Sequence, residues 1–381
     1  MENLFAAPGT VQATCDNGLM PYLEEELREL GFPAVRTHRT GVEIRATIND
    51  CEKLCLNSRI AYTFLYQLLE FPCRDADALY KRCAAYPWEE ILTTEAELSI
   101  TCRVSTPSVN DTRYPVLKLK DAIVDRLRER CRIRPNTNND RRGAVVHLNW
   151  QDDKAWVFVN TAGQKLSDRG YRRLPGGAPL RESLAAAILR AAACDGTRAL
   201  VNPMCGSGTL AIEAALIMRG CAPGLLRDQY GFKHLRGFNN AAYQALRQTL
   251  NKAKKSGGFK PIIATDIDPE AVANARKNAA TAGVDGLIEF QTCDFRETRL
   301  PAEGADIILN PPYGERLGEM RELEQLYPAI GDWFKQKCTG CTGYVFTGNR
   351  DLGKKIGLKP DRRFEFMNAK IDCRLFKYSI Y

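Results

Sequence analysis

The chain has 381 residues, enough for two domains, and with 44% hydrophobic and 26% charged residues it has the composition of a soluble globular protein. No run of about 18 apolar residues occurs. The start, Met1-Glu2-Asn3-Leu4-Phe5, lacks a basic stretch, so neither a membrane span nor a secretory leader is expected, which points to the cytoplasm. The net charge of +8 is uneven: residues 1–165 carry 22 Lys+Arg against 23 Asp+Glu, and residues 166–381 carry 32 against 23. A basic second part fits a polyanion partner as well as it fits a merely solvated surface.

In chain order, strand Thr10–Cys15, amphipathic helix Leu19–Leu30 and strand Gly41–Thr47 come first. A helix over Asp50–Tyr66, strand Leu98–Val104, helix Leu117–Arg130, and strands Ala144–Trp150 and Lys154–Asn160 follow, giving an α+β region without a nucleotide-type glycine loop. Residues 163–179 are rich in Gly and Pro and read as a connection between domains. After Arg181, helices and strands alternate, which predicts a mostly parallel sheet. These are helices Glu182–Ala193, Thr209–Arg219, Pro269–Ala282 and Glu322–Lys337, and strands Ala199–Asn202, Ile262–Thr265, Ile288–Gln291, Asp306–Leu309 and Tyr344–Thr347. Phe364–Ile371 and Arg374–Tyr381 read as a terminal antiparallel pair.

The fourteen cysteines are scattered, as reduced thiols acting as small hydrophobes would be. The lone Cys338/Cys341 pair has no second pair at metal spacing, so no metal is expected.

Four strand-end elements carry the chemistry. Asn202-Pro203-Met204-Cys205-Gly206-Ser207-Gly208-Thr209 is a glycine turn between a strand and a helix. Gly206 and Gly208 let the backbone approach a ligand, and the helix N-terminus offers N–H donors. Asp266, followed by Ile267, ends the next strand, where an acid can hold two ribose hydroxyls. A long insert, 220–260, separates it from the glycines, unlike an ordinary dinucleotide fold. Asp294 ends the following strand and could reach an adenine amino group.

The fourth element is Asn310-Pro311-Pro312-Tyr313. An exocyclic amine on an aromatic base is a poor nucleophile, because its lone pair is delocalised into the ring. The Asn310 side-chain oxygen and the Pro311 carbonyl can accept its two protons and favour attack. Pro312 stiffens the loop, and Tyr313 offers a ring for stacking. A sulfonium donor is already activated, so positioning does most of the work.

Together these motifs resemble the class I amino-methyltransferases, and across nearly the whole chain the bacterial THUMP-domain 23S rRNA (guanine-N2)-methyltransferases. The match includes Lys120–Asp125, Arg169–Arg172, Glu182–Ile188, Ala222–Leu225, Asn310–Leu317 and the 220–260 insert. The resemblance implies an α/β fold: a Rossmann-like methyltransferase domain over 181–381 after a linker at 166–180, preceded by an RNA-binding region over 1–165. That region would be a ferredoxin-like piece and then a THUMP domain over about 45–161. It implies S-adenosylmethionine as cofactor, held by Asn202, Pro203, Cys205, Gly206, Ser207, Gly208, Thr209, Asp266, Ile267, Asp294 and Asn310. It implies that Asn310, Pro311, Pro312 and Tyr313 receive the target base. The family usually carries an acid where this chain has Asn202.

The implied partner is ribosomal RNA, 23S or a precursor. Arg126, Arg132, Arg134, Arg141, Arg142, Arg169 and Arg172 are the expected phosphate contacts. Competing readings are an enzyme acting on another amine (adenine N6 or a protein glutamine amide) and a non-catalytic RNA-binding ribosome-assembly protein.

Overall fold

Buried residues at two-residue spacing recur in several strands of the first part of the chain, as in residues 9–14 and 144–151. The computed structural model describes residues 5–93, 97–172, 180–314 and 320–381. Its strands β1 (Gly9–Thr14), β2 (Arg36–His38), β3 (Gly41–Ala46), β4 (Thr63–Pro72), β5 (Leu98–Ser105), β6 (Ala144–Gln151) and β7 (Lys154–Asn160) form one sheet in the order β2-β3-β1-β4-β7-β6-β5. All neighbours are antiparallel except β5 and β6. Val11 and Ala13, Val146, Leu148 and Trp150, and Val157 and Val159 are buried. Alternate residues such as Gln12, Thr101, Arg103, His147 and Asn149 line a cleft on the other side.

Helices α1 (Met20–Glu29), α2 (Ile48–Asn57), α3 (Ala76–Ala84) and α4 (Arg113–Cys131) accompany this sheet. The helix expected over 50–66 ends at Asn57, and β4 takes the last four of those residues, 63–66. The cause is non-local. The buried Glu26 carboxylate accepts from Ser58 Oγ at 2.6 Å, Arg59 N at 2.8 Å and Ile60 N at 3.3 Å. Those donors turn the chain out of the helix.

The second sheet has the order β10-β9-β8-β11-β12-β14-β13. Its strands are β8 (Ala199–Pro203), β9 (Ile262–Asp266), β10 (Ile288–Thr292), β11 (Ala305–Leu309), β12 (Thr342–Thr347), β13 (Arg362–Asn368) and β14 (Ile371–Ser379). The first five are parallel, and β14 and β13 close one edge antiparallel. The strands fully covered by helices, β8 and β11, are buried at every residue. Helices α5 (Glu182–Ala191), α6 (Thr209–Met218), α7 (Asn240–Lys252), α8 (Pro269–Ala282), α9 (Met320–Lys337) and α10 (Arg350–Lys355) complete the secondary structure. Strand order runs outward from β8 in one direction and from β11 in the other. A ligand crevice is expected where that order reverses, at the carboxyl ends of β8 and β11.

The chain divides into two compact units, and each is discontinuous. One contains residues 1–15, 23–168 and 227–249; the other contains 16–22, 169–226 and 250–381. Within the first unit, Phe232 N donates to Thr161 O at 2.9 Å, Arg236 N donates to Ile91 O at 2.8 Å, and the Arg227 guanidinium donates to Lys165 O at 2.8 Å. Residues 173–179 of the expected connection and 315–317 of the Asn310–Leu317 motif lie outside the described residues.

Candidate active site at the strand-order reversal

The glycine turn is built on strained backbone. Met204, with φ 57°, is one of six non-glycine residues with positive φ among those described, and Gly206 and Gly208 follow at φ 54° and 83°. Cys205 N donates to Thr265 O at 2.9 Å, which ties the turn to the end of β9. A β-carbon on Gly206 would meet nothing within 4 Å, so its backbone faces open space, where a ligand can approach. A β-carbon on Gly208 would lie 2.9 Å from Ala275 Cβ, so this glycine allows α8 to pack close. Gly208 and Pro203 therefore stand behind the cleft wall. Asn202, Cys205, Gly206, Ser207 and Thr209 line it.

The cleft has a volume of about 810 Å³ and also gathers Asp266, Ile267, Asp294, Asn310, Pro311, Pro312 and Tyr313. Four elements spread over more than a hundred residues of sequence thus converge. Asp266 accepts from Gly206 N at 2.8 Å and from Asp268 N at 3.1 Å, so it braces the glycine turn as well as facing the cleft. Asp294 is gripped by the neighbouring Arg296 (2.7 and 2.8 Å), which holds its carboxyl below the usual range. A ligand amine would have to share it with Arg296. Ile267 is 71% exposed, an apolar side chain held in the open where a flat ring can cover it.

Two side-chain oxygens stand out. Asn202 donates through Nδ2 to Ile308 O at 2.8 Å, but its Oδ1 is buried with no hydrogen-bond partner. Asn310 Oδ1 is likewise buried without a partner. A buried acceptor left unmatched costs about 1–3 kcal/mol. Both line one cleft, so a ligand with two separate donor groups would satisfy them.

The loop after Asn310 is pinned from outside the motif. Tyr327 on α9 donates to Pro312 O at 3.3 Å and lies 2.7 Å from Thr347 Oγ1. Asn368 Nδ2 donates to the Tyr313 hydroxyl at 2.9 Å. Tyr327, Thr347 and Asn368 carry no local sequence signal, because their positions depend on strand order. Leu180, Met204, Cys293 and Arg296 also line the cleft beyond the sequence reading.

The arginines expected on phosphates separate into two groups. Arg169 is buried, with Nε 3.2 Å from Glu213 Oε1, and Tyr171 donates to the same oxygen at 3.1 Å. It cannot reach a phosphate without leaving a buried carboxylate unpaired. Arg172 pairs with Glu182 at 2.5 Å and Arg126 with Glu89 at 2.5 Å, all with side chains under 20% exposed. These three arginines hold the fold. Arg132, Arg134 and Arg142 lie toward solvent, and Arg141 lines the cleft on the first sheet.

Residues 169–377 match the RMKL-like methyltransferase domain, UPF0020. The chain belongs to this family of methyltransferases. Ahead of that domain, residues 10–62 match the RlmL ferredoxin-like domain and residues 73–160 the THUMP domain. The chain is 37% identical over 98% of its length to a "Ribosomal RNA large subunit methyltransferase K/L" of Syntrophotalea carbinolica, covering 54% of that protein. It is 37% identical over 95% of its length to the protein of the same name from Psychromonas ingrahamii, covering 49% of it. The chain thus spans about half the length of the curated relatives it matches.

Among solved structures, a possible methylase from Clostridium difficile 630 superposes with a TM-score of 0.88 at 28% identity, covering 98% of this chain and 99% of that one. SMU.472, crystallised with SAH, gives 0.88 at 25% identity and 98% of both chains. A protein from Listeria monocytogenes, named by prediction an N6-adenine-specific DNA methylase, gives 0.87 at 25% identity, with 99% of this chain and 98% of that one covered. These three matches agree with the Rossmann-like α/β domain and the ferredoxin-like and THUMP modules that the resemblance implied.

Proposed function

We propose that this cleft binds S-adenosylmethionine and transfers its methyl group to the exocyclic N2 of a guanine in 23S rRNA. The observation that carries this reading is the pair of unmatched buried oxygens, Asn202 Oδ1 and Asn310 Oδ1, in one cleft at the strand-order reversal. Asn202 Oδ1 suits a ligand ammonium, and Asn310 Oδ1 suits the amine to be methylated. The open backbone at Gly206 suits the close approach of a cofactor tail, and Ile267 suits its adenine. SMU.472 binds the product form, SAH, on the same fold, which supports this assignment.

The bound sulfonium supplies an activated methyl group. The protein's part is then to hold the base in line and accept charge from its nitrogen. Asn310 Oδ1 takes one amine proton in a hydrogen bond, the Pro311 carbonyl takes the other, and Tyr313 provides the stacking face. No strong base is needed, because the amine proton becomes acidic as the N–C bond forms and passes to solvent.

The RNA would be gripped by the first unit. Arg132, Arg134 and Arg142 lie toward solvent beyond the end of α4. Arg36, Arg39, Arg103, Arg141, Lys154 and Lys165 surround the polar sheet face against Glu43 and Glu70. Burial and then the charges of Arg141 and Arg103 push the His147 imidazole down to about 4, in keeping with a positive potential over that face. A base must leave its helix to enter the cleft, so grip and chemistry fall to different surfaces. Work on ribosomal RNA belongs in the cytoplasm.

The test is to incubate the protein with labelled S-adenosylmethionine and 23S rRNA, digest to nucleosides and identify the product by mass spectrometry. N2-methylguanosine is expected. N6-methyladenosine would move the assignment to the amine suggested by the Listeria protein's name. Absence of S-adenosylmethionine binding by calorimetry would leave a non-catalytic RNA-binding protein.

A further inference from the structure

We propose that the turn of the β13–β14 hairpin forms a second wall of the target-base pocket, and that Asn368 is a positioning residue that sets the orientation of the Tyr313 ring. The inference rests on the amine-transfer reading above. Asn368 pairs with Ile371 as the last rung of the hairpin, so Ala369 and Lys370 alone make the turn. That tight turn sets Asn368 at the hairpin's end, where it lines the cleft, 58 positions after Asn310.

The Tyr313 ring is held on two sides. Its hydroxyl accepts from Asn368 Nδ2 at 2.9 Å. Its Cδ2 and Cε2 atoms would lie 3.0 Å from a β-carbon on Gly348, so a side chain there would press on the ring. A ring used as a stacking platform needs a defined plane, because the stacked base must present its amine in line with the methyl group. The backbone before the ring is fixed separately, by Tyr327 on the Pro312 carbonyl. Asn368 therefore controls what that backbone anchor leaves free, the side-chain torsions of Tyr313.

A double-mutant cycle tests this. Asn368→Ala and Tyr313→Phe should each lower kcat roughly fivefold, the value of one neutral hydrogen bond. Affinity for S-adenosylmethionine should stay unchanged. If Asn368 acts through the Tyr313 hydroxyl, the double variant should be no slower than either single variant. Additive losses would overturn the proposal, since they would mean that Asn368 acts on something else. The same cycle read on melting temperature needs no RNA. If the wild-type protein methylates no RNA while the melting-temperature shifts are non-additive, the amine-transfer reading falls and the Asn368–Tyr313 coupling stands. Additive shifts in both readouts remove Asn368 from this role.

Discussion

Asn310 shows how much one side chain can be asked to do. Its unmatched oxygen is placed to stabilise charge that develops only as the amine attacks. Asn310→Ala should therefore lower kcat by about 10²–10³ while S-adenosylmethionine still binds, a loss of about 2.7–4 kcal/mol in the chemical step. Single-turnover methylation alongside calorimetry would check both halves. Asn310 is legible in the sequence because the chemistry of an aromatic amine demands an acceptor after a strand. Arg169 is not, because its partner Glu213 lies 44 residues away and nothing local marks it as buried. A second residue-scale prediction concerns Glu52, a buried carboxyl on α2. Burial raises its pKa from 4.5 to about 7. The folded protein thus holds a proton that the unfolded chain releases between these values. Stability should fall as pH rises through that window and level off above it. Glu52→Gln should remove this fall, on the order of 3 kcal/mol at most, and melting curves at pH 5 and pH 8 would show it.

At the scale of elements, the terminal hairpin marks the limit of pattern reading. The sequence pattern predicts its strands at 364–371 and 374–381, with the turn at 372–373, but the turn lies at 369–370. The apolar alternation continues through both strands, and Ala369-Lys370 has no glycine or asparagine to announce a turn. Ala369 nonetheless sits at φ 54°, a conformation that suits glycine. Ala369→Gly should raise stability by about 1 kcal/mol, visible as a higher melting temperature, if relief of the strained alanine outweighs the added freedom of the unfolded chain. The parallel strands, by contrast, are readable nearly to the residue, since β8 and β11 are mostly apolar, with only Asn202 and Asp306 polar, and lead into motif loops. Strand β4 is hidden from such reading because Glu26, a residue on another helix, stops α2.

At the scale of the whole molecule, charge and chain path matter more than any single side chain. Sequence counts place the basic excess after residue 165, yet in the first unit Arg36, Arg39, Arg103, Arg141, Lys154 and Lys165 line one sheet face against Glu43 and Glu70. Reversing Arg39 and Arg103 to Glu should weaken RNA binding and flatten its salt dependence, by about 0.7 in log–log slope for each single-strand phosphate no longer neutralised. Anisotropy titrations across a salt series would measure this, and an unchanged slope would return that face to ordinary solvation. The chain's path has a further consequence for how the protein is made. The first unit needs residues 227–249, and the second borrows 16–22. On a ribosome working from the N-terminus, the first unit must wait with its Thr161 and Ile91 carbonyls unmet until Phe232 and Arg236 emerge. The half-made first unit therefore stays incomplete through the synthesis of the glycine turn and α6. Completion of the first unit is thereby coupled in time to the synthesis of the second.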